Sequence, residues 1–193
     1  NQILGECMAE LGVRAVSATR NMASVSPESS TLVHSSSLKT LDTQDAPETR
    51  FQLSVLGKEV EIVSPLLGRH QLRNLALAIT AAEELAAQGF RITAESVARG
   101  TRQTSWPGRF QRFAPTAHRP EIILDVAHNP AGAWALCAAL TDQLGERPLV
   151  LLFGAMSDKA VDQIAQILWP RMSHVVLTRA AHNPRAADAV DLA

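Results

Sequence analysis

The feature that most constrains this chain is a change of hydrophobic period after residue 107. Short apolar runs at Phe110–Phe113, Glu121–Asp125, Pro148–Phe153 and His174–Thr178 read as strands, while Ala131–Leu144 and Ala160–Leu168 carry apolar residues at helical spacing. Strands that alternate with helices predict an α/β domain with a parallel sheet, because a parallel neighbour needs a crossover long enough to hold a helix. The run Pro148–Phe153 shows no polar alternation and predicts a buried strand. Another helix is expected to begin near Ala186, and with the sequence ending at Ala193 the sheet is expected to be short of strands.

The first half of the chain has a different texture. Ile3, Leu4, Met8 and Leu11 predict a helix over residues 2 to 12 that stops at Gly12, followed by a short strand over Val13–Val16. Residues 24 to 48 are rich in Ser, Thr and Pro and read as a mobile surface excursion with a strand at Thr31–Ser35. Phe51, Leu53 and Val55, then Val60 and Ile62, alternate with polar neighbours on either side of Leu56-Gly57-Lys58-Glu59, which predicts a hairpin. A helix is expected from Gln71 to Ala87, ended by Gln88-Gly89, and a second through Gln103 with Thr93 as its cap. The absence of an initiating Met, with an amphipathic pattern already under way at residue 3, suggests a chain that starts inside a larger protein.

Composition narrows the function classes. With 46% hydrophobic and 19% charged residues the chain can bury a core, and a formal net charge of −1 gives no general attraction to nucleic acid or an anionic membrane. No run of about 18 apolar residues is present and the N-terminus lacks a signal-peptide pattern, so the default expectation is the cytoplasm. Cys7 and Cys137 lie far apart without metal-ligand spacing. His34, His118, His174 and His182 form no cluster, so no metal ligand is assigned.

Four motifs carry chemistry. The strand Ile122–Leu124 delivers Asp125, His128 and Asn129 to its carboxyl end, where open α/β sheets bind ligands. An Asp there suits ribose hydroxyls or a metal-bound water, and His and Asn reach phosphate or a reacting carboxylate. The alternative is helix capping by Asn129 or Asp125 with His128 in a turn, and the two readings stay open. Trp106-Pro107-Gly108-Arg109-Phe110 places a planar guanidinium beside a glycine at the apparent domain boundary, suited to phosphate or to a plain interdomain turn. Gly68-Arg69-His70-Gln71-Leu72-Arg73-Asn74 opens the Ala-rich helix, where the Asn74 amide matches the edge of adenine or simply faces solvent. In Phe153-Gly154-Ala155-Met156-Ser157-Asp158-Lys159 the small residues leave room for a ligand or a neighbouring loop, and Ser157 or Asp158 is expected to cap the next helix. There is no Walker A, GxGxxG, GxSxG or HExxH sequence.

Taken in order, Leu67-Gly68-Arg69-His70-Gln71-Leu72-Arg73-Asn74, Trp106-Pro107-Gly108-Arg109-Phe110-Gln111, Leu124-Asp125-Val126-Ala127-His128-Asn129-Pro130 and Phe153-Gly154-Ala155-Met156-Ser157-Asp158-Lys159 resemble the bifunctional dihydrofolate synthase/folylpolyglutamate synthase family of the Mur ligase superfamily, over roughly residues 64 to 190. The resemblance implies an α/β protein in which residues 1–105 are the end of a P-loop-type central ATPase domain and residues 106–193 part of a Rossmann-like C-terminal Mur ligase domain. It implies ATP and Mg2+, with dihydropteroate or folate and L-glutamate as substrates, joined through an acyl phosphate. By the same resemblance Asn74 contacts adenine, Arg109 reaches the nucleotide across the domain junction, Asp125 contacts ATP, and His128 lies near the phosphate and reaction centre. Asp125 and His128 are thus the catalytic candidates, and Asn74, Arg109 and Asp125 those for ATP. The family implies a monomer. Its P-loop, magnesium ligands and carbamylated lysine are expected before residue 1, so this chain is not expected to turn over alone. Two rivals remain: another Mur ligase, acting on peptidoglycan precursors or cyanophycin, and a non-catalytic nucleotide-binding module.

Overall fold

The computed structural model describes residues 2–23, 31–32 and 48–192. The chain divides into two compact units, Asn1–Leu66 with His70–Ser105, and Leu67–Arg69 with Trp106–Ala193.

In the first unit, α1 (Gln2–Glu10) ends before Gly12, whose φ of +64° a glycine adopts without cost. Val13–Val16, expected as a strand, pairs with no strand among the described residues, and a strand without a ladder partner has no hydrogen bonds to hold it. A helix that the sequence did not announce follows, α2 (Thr19–Ala23), five residues long and too short for a periodic signal. β1 (Thr31–Leu32) pairs antiparallel with β2 (Thr49–Val55), which pairs in turn with β3 (Lys58–Ser64). Most of the polar stretch from 24 to 48, with its expected mobility and the rest of its predicted strand, lies outside the described residues.

The hairpin turn is Leu56-Gly57, both at positive φ, 52° and 76°, as a two-residue turn that matches sheet twist requires. Phe51, Leu53 and Val55 point from β2 to a core completed by Ile62, Ile79 and Ala94, with Leu72 and Leu75 packed against it. Leu72, Leu75, Ala76 and Ile79 fall at i, i+3, i+4 and i+7 along α3 (Arg69–Ala87), so one stripe of that helix covers the hairpin. Further along α3 the buried Glu83 accepts from the Leu56 N–H at 3.1 Å and from Asn21 Nδ2 at 3.2 Å. α4 (Ala94–Arg102) starts with the expected Thr93 cap, extended to a reciprocal capping box with Ser96. Lys58 bonds Glu95 at 2.9 Å and, chiefly by that hydrogen bond, lowers its carboxyl pKa to about 2.

The second unit begins with β4 (Gln111–Phe113) and β5 (Ile122–Leu124), which are antiparallel rather than members of the expected parallel sheet. The link between them is too short for a crossover helix and folds as a turn. α5 (Pro130–Leu144) follows, then β6 (Val150–Phe153), α6 (Val161–Leu168) and β7 (His174–Leu177). β6 and β7 are the parallel pair, so this segment is the βαβ unit that the alternation predicts. Ala133, Phe153, Ile164 and Leu168 form one core cluster, in which Phe153 meets Trp169 edge-on at 5.1 Å. Phe110, Ala139, Leu140 and Leu144 form another.

Two further expectations change. β6 is not buried on both faces: Val150 and Leu152 are each 69% exposed, while Phe153 packs inward, because among the described residues helices cover one face only. No helix begins near Ala186. Ala187 N–H donates to Ala155 O and Ser157 N–H to Arg185 O, with an isolated antiparallel bridge between Met156 and Ala186. Groups that would have closed a helical turn are spent on the neighbouring loop.

Ile79→Ala should cost about 2–5 kcal/mol through the cavity it leaves under the hairpin. Leu77→Ala, on the 54% exposed face of the same helix, should fall within about 0.5 kcal/mol of the parent. Urea midpoints at unchanged slope measure both, and equal losses would contradict the assignment of the helix faces.

Candidate functional site

Asp125 follows β5 directly, at its carboxyl end, and its carboxylate joins two segments. Oδ2 accepts from the Phe110 N–H at 2.8 Å and Oδ1 accepts from the Ala127 N–H at 2.8 Å. A third bond, Val126 N–H to Gly108 O at 2.9 Å, completes the attachment. The turn at 106–110 and the loop at 125–129 are therefore one object, tied by a carboxylate and a backbone bond.

The turn depends on Gly108. Its φ is +74°, its N–H donates to Gln111 Oε1 at 3.0 Å, and a Cβ there would lie 2.8 Å from Val126 Cγ1. Only a residue without a side chain lets the two backbones come this close. Arg109 N–H donates to Trp106 O at 3.3 Å, closing the turn, and Phe110 takes a positive φ of 48° with its ring buried. The Arg109 guanidinium lies over the Trp106 ring, 5.1 Å from its centroid. Among the described residues it has no carboxylate partner and donates no side-chain hydrogen bond.

On the loop, the exposed His128 brings Nδ1 within 3.0 Å of Val126 O. A carbonyl only accepts, so the contact puts the proton on Nδ1 and leaves Nε2 as the unprotonated nitrogen of the neutral ring. Asn129 is the cap of α5: Oδ1 accepts from the Gly132 N–H at 2.7 Å, and Pro130 occupies the first turn. Asp125 does not cap that helix.

The other motifs are placed as follows. Asn74 is exposed on the first turns of α3 and donates from Nδ2 to Gln71 Oε1 at 3.2 Å, while Gln71 Nε2 lies 3.0 Å from His70 Nε2. The room expected beside Gly154 is taken by the neighbouring loop, since a Cβ there would meet Thr178 O at 2.9 Å. α6 has Ala160 at its cap position without a side-chain bond, so neither Ser157 nor Asp158 caps it. Asp158 instead pairs with Lys159 at 3.1 Å and Arg185 at 3.0 Å, and those bonds, Lys159's first, hold its carboxyl below the usual range. Among the described residues no three His, Cys, Asp or Glu side chains come together as a metal site.

Sequence reasoning missed two features here, the stacking of Trp106 on Arg109 and the staple role of Asp125. An aromatic three residues before an Arg across a Pro-Gly turn was the available signal for the first. The second depends on which backbone N–H groups the fold brings within reach.

Residues 108–193, beginning at the glycine of this turn, match the Mur ligase, glutamate ligase domain. The chain is 36% identical over 148 residues to the dihydrofolate synthase/folylpolyglutamate synthase of Mycobacterium tuberculosis, covering 74% of this chain and 29% of that protein. The second unit carries a Mur ligase, glutamate ligase domain. The chain is also 34% identical over 131 residues to the folylpolyglutamate synthase of Lacticaseibacillus casei, covering 67% of the chain and 30% of the relative. Its fold matches the crystal structure of the Mycobacterium tuberculosis folylpolyglutamate synthase complexed with ADP and AMPPCP, with a TM-score of 0.62 at 35% identity, over 75% of this chain and 31% of that one. The chain thus spans about three tenths of the length of the curated relatives it matches.

Gly108→Ala should loosen the attachment of turn to loop by overlap with Val126 as well as by backbone strain. Adding Val126→Ala should recover the part due to overlap and leave about 1–2 kcal/mol of left-handed strain. Thermal unfolding of the single and double variants separates the two terms, and no recovery in the double variant would contradict the close approach.

Proposed function

We propose that this chain belongs to an ATP-dependent ligase that joins L-glutamate to dihydropteroate or to a folyl(poly)glutamate through an acyl phosphate. The first unit would be the end of the central ATPase domain and the second the C-terminal domain. The observation that carries the reading is the tied pair of turn and loop: it holds Arg109, without an anionic partner among the described residues, in one piece with Asp125 and His128 just after β5. Support comes from relatives whose names are those of folate–glutamate ligases.

These residues fit a nucleotide. Arg109 offers an unpaired planar donor fork to phosphate or ribose oxygens. Each Asp125 oxygen accepts one backbone N–H and keeps further lone-pair directions for a ribose hydroxyl. His128 offers the free Nε2, or as the imidazolium a second donor, to a phosphate or to the reacting carboxylate. Asn74 keeps its Oδ1 and one amide hydrogen for an adenine edge. ATP supplies the phosphoryl group that activates the acceptor carboxylate, and the glutamate amine displaces phosphate from the acyl phosphate. The turn and loop contribute charge and orientation. Mg2+ belongs to the reading as the counter-charge on the phosphates; its ligands would come from outside the described residues. A soluble, cytoplasmic monomer completes the proposal, consistent with the absence of any helix among the described residues long and apolar enough to cross a membrane.

Glutamate-dependent release of phosphate from ATP, with dihydropteroate or tetrahydrofolate as acceptor, tests the reading in the full-length protein. Arg109→Ala should raise the KM for ATP roughly tenfold or more, the size of a lost charge-assisted bond. His128→Ala, at an exposed position, should lower kcat while leaving the melting temperature in place. No turnover with either pterin acceptor, but turnover with a UDP-muramoyl substrate, would move the assignment to another amide ligase of the family. ATP binding without turnover on any acceptor would leave the non-catalytic module.

A further inference from the structure

We infer that Trp106 is a positioning residue for nucleotide binding, acting through Arg109; this rests on the nucleotide role proposed for that arginine. Trp106 is 53% exposed, and its indole carries the Arg109 guanidinium at 5.1 Å from the ring centroid. A large aromatic side chain left half in water at the start of a turn contributes little to a core. What it contributes is a flat, electron-rich face on which a guanidinium rests by cation–π attraction while its N–H edges point outward, free for hydrogen bonds.

The backbone makes the arrangement rigid. The Arg109 N–H to Trp106 O bond closes the turn between the two residues, Pro107 fixes one of its torsions, and Gly108 and Phe110 are held to the 125–127 loop by the bonds already described. An arginine on a surface turn otherwise samples many rotamers, and binding an anion would cost their entropy; a guanidinium already stacked has lost part of that freedom beforehand. The stack also holds the charge without neutralising it, as a carboxylate partner would. The ligand class is a polyphosphate or another anion with oxygens spaced for a planar fork.

The test is a double-mutant cycle in the full-length protein, read as ATP affinity by calorimetry and as KM and kcat in phosphate release. Trp106→Leu should weaken ATP binding roughly threefold to tenfold, the size of a cation–π contact between exposed and desolvated limits. Trp106→Phe should recover part of the loss, and kcat at saturating ATP and the melting temperature should stay near the parent values. In the Arg109→Ala background the Trp106→Leu change should have no further effect, because its only route to the ligand is gone. If Arg109→Ala leaves ATP affinity intact, the nucleotide role of the arginine falls, and this inference with it. If Arg109→Ala weakens binding but Trp106→Leu does not, or does so equally in both backgrounds, the positioning role is overturned while the role of Arg109 stands.

Discussion

One carboxylate with two backbone partners organises the candidate site. Asp125 takes the N–H of Phe110 on one oxygen and of Ala127 on the other, each at 2.8 Å, and so connects a turn that carries an arginine to a loop that carries a histidine. Charge-assisted bonds of this kind contribute about 1.5–3 kcal/mol each when well made. That is enough to offset the left-handed backbone at Phe110, which for a side chain of that size costs about 1–2 kcal/mol. The strain is local and the compensation is local, so the geometry of the turn follows from the residue fifteen positions away.

The first unit solves a similar problem by the same means. Two non-glycine residues among those described have positive φ, Leu56 and Phe110, and each gives its own N–H to a carboxylate: Leu56 to Glu83 and Phe110 to Asp125. In the hairpin the result is structural, a turn pinned to the helix that covers it. Beside β5 the same device leaves an exposed face, because the groups around it are an unpaired guanidinium, an exposed imidazole and the remaining lone pairs of the carboxylate. A difference in surroundings, rather than in bonding, separates a fold element from a candidate site.

How much of this was legible varies with the range of the interaction. Hairpin, α3, the Thr93 cap and the strand–helix–strand pattern of β6, α6 and β7 are written in local period and capping chemistry, and the structure follows them within a residue or two. The parallel sheet expected of the whole second unit was not: β4 and β5 lie too close in sequence for a crossover and pair antiparallel. Apolar content alone made Val150 and Leu152 read as buried, yet burial depends on what packs against each face. Ala186 offered good helix-forming composition and lost to a bridge with Met156. At the site, strand position picked out Asp125 and His128, and the Pro-Gly-Arg turn at the apparent domain boundary picked out Arg109, whereas the partners of Asp125 and the stacking on Trp106 depend on side-chain and backbone directions that spacing does not encode. Asn129 was legible either as a ligand contact or as a cap, and the bond to Gly132 gives it the cap.

The measurement that bears most directly on this account is amide hydrogen exchange at Phe110 and Ala127, compared between the parent protein and Asp125→Asn. Asparagine keeps one accepting oxygen and puts an NH2 group where the other accepted, so at least one of the two amides loses its partner. The account predicts exchange accelerated about tenfold or more at one or both amides, with α6 unchanged, a factor that corresponds to about 1.4 kcal/mol. Unaltered protection at both would mean that the carboxylate does not hold the turn to the loop, and the site would need another origin.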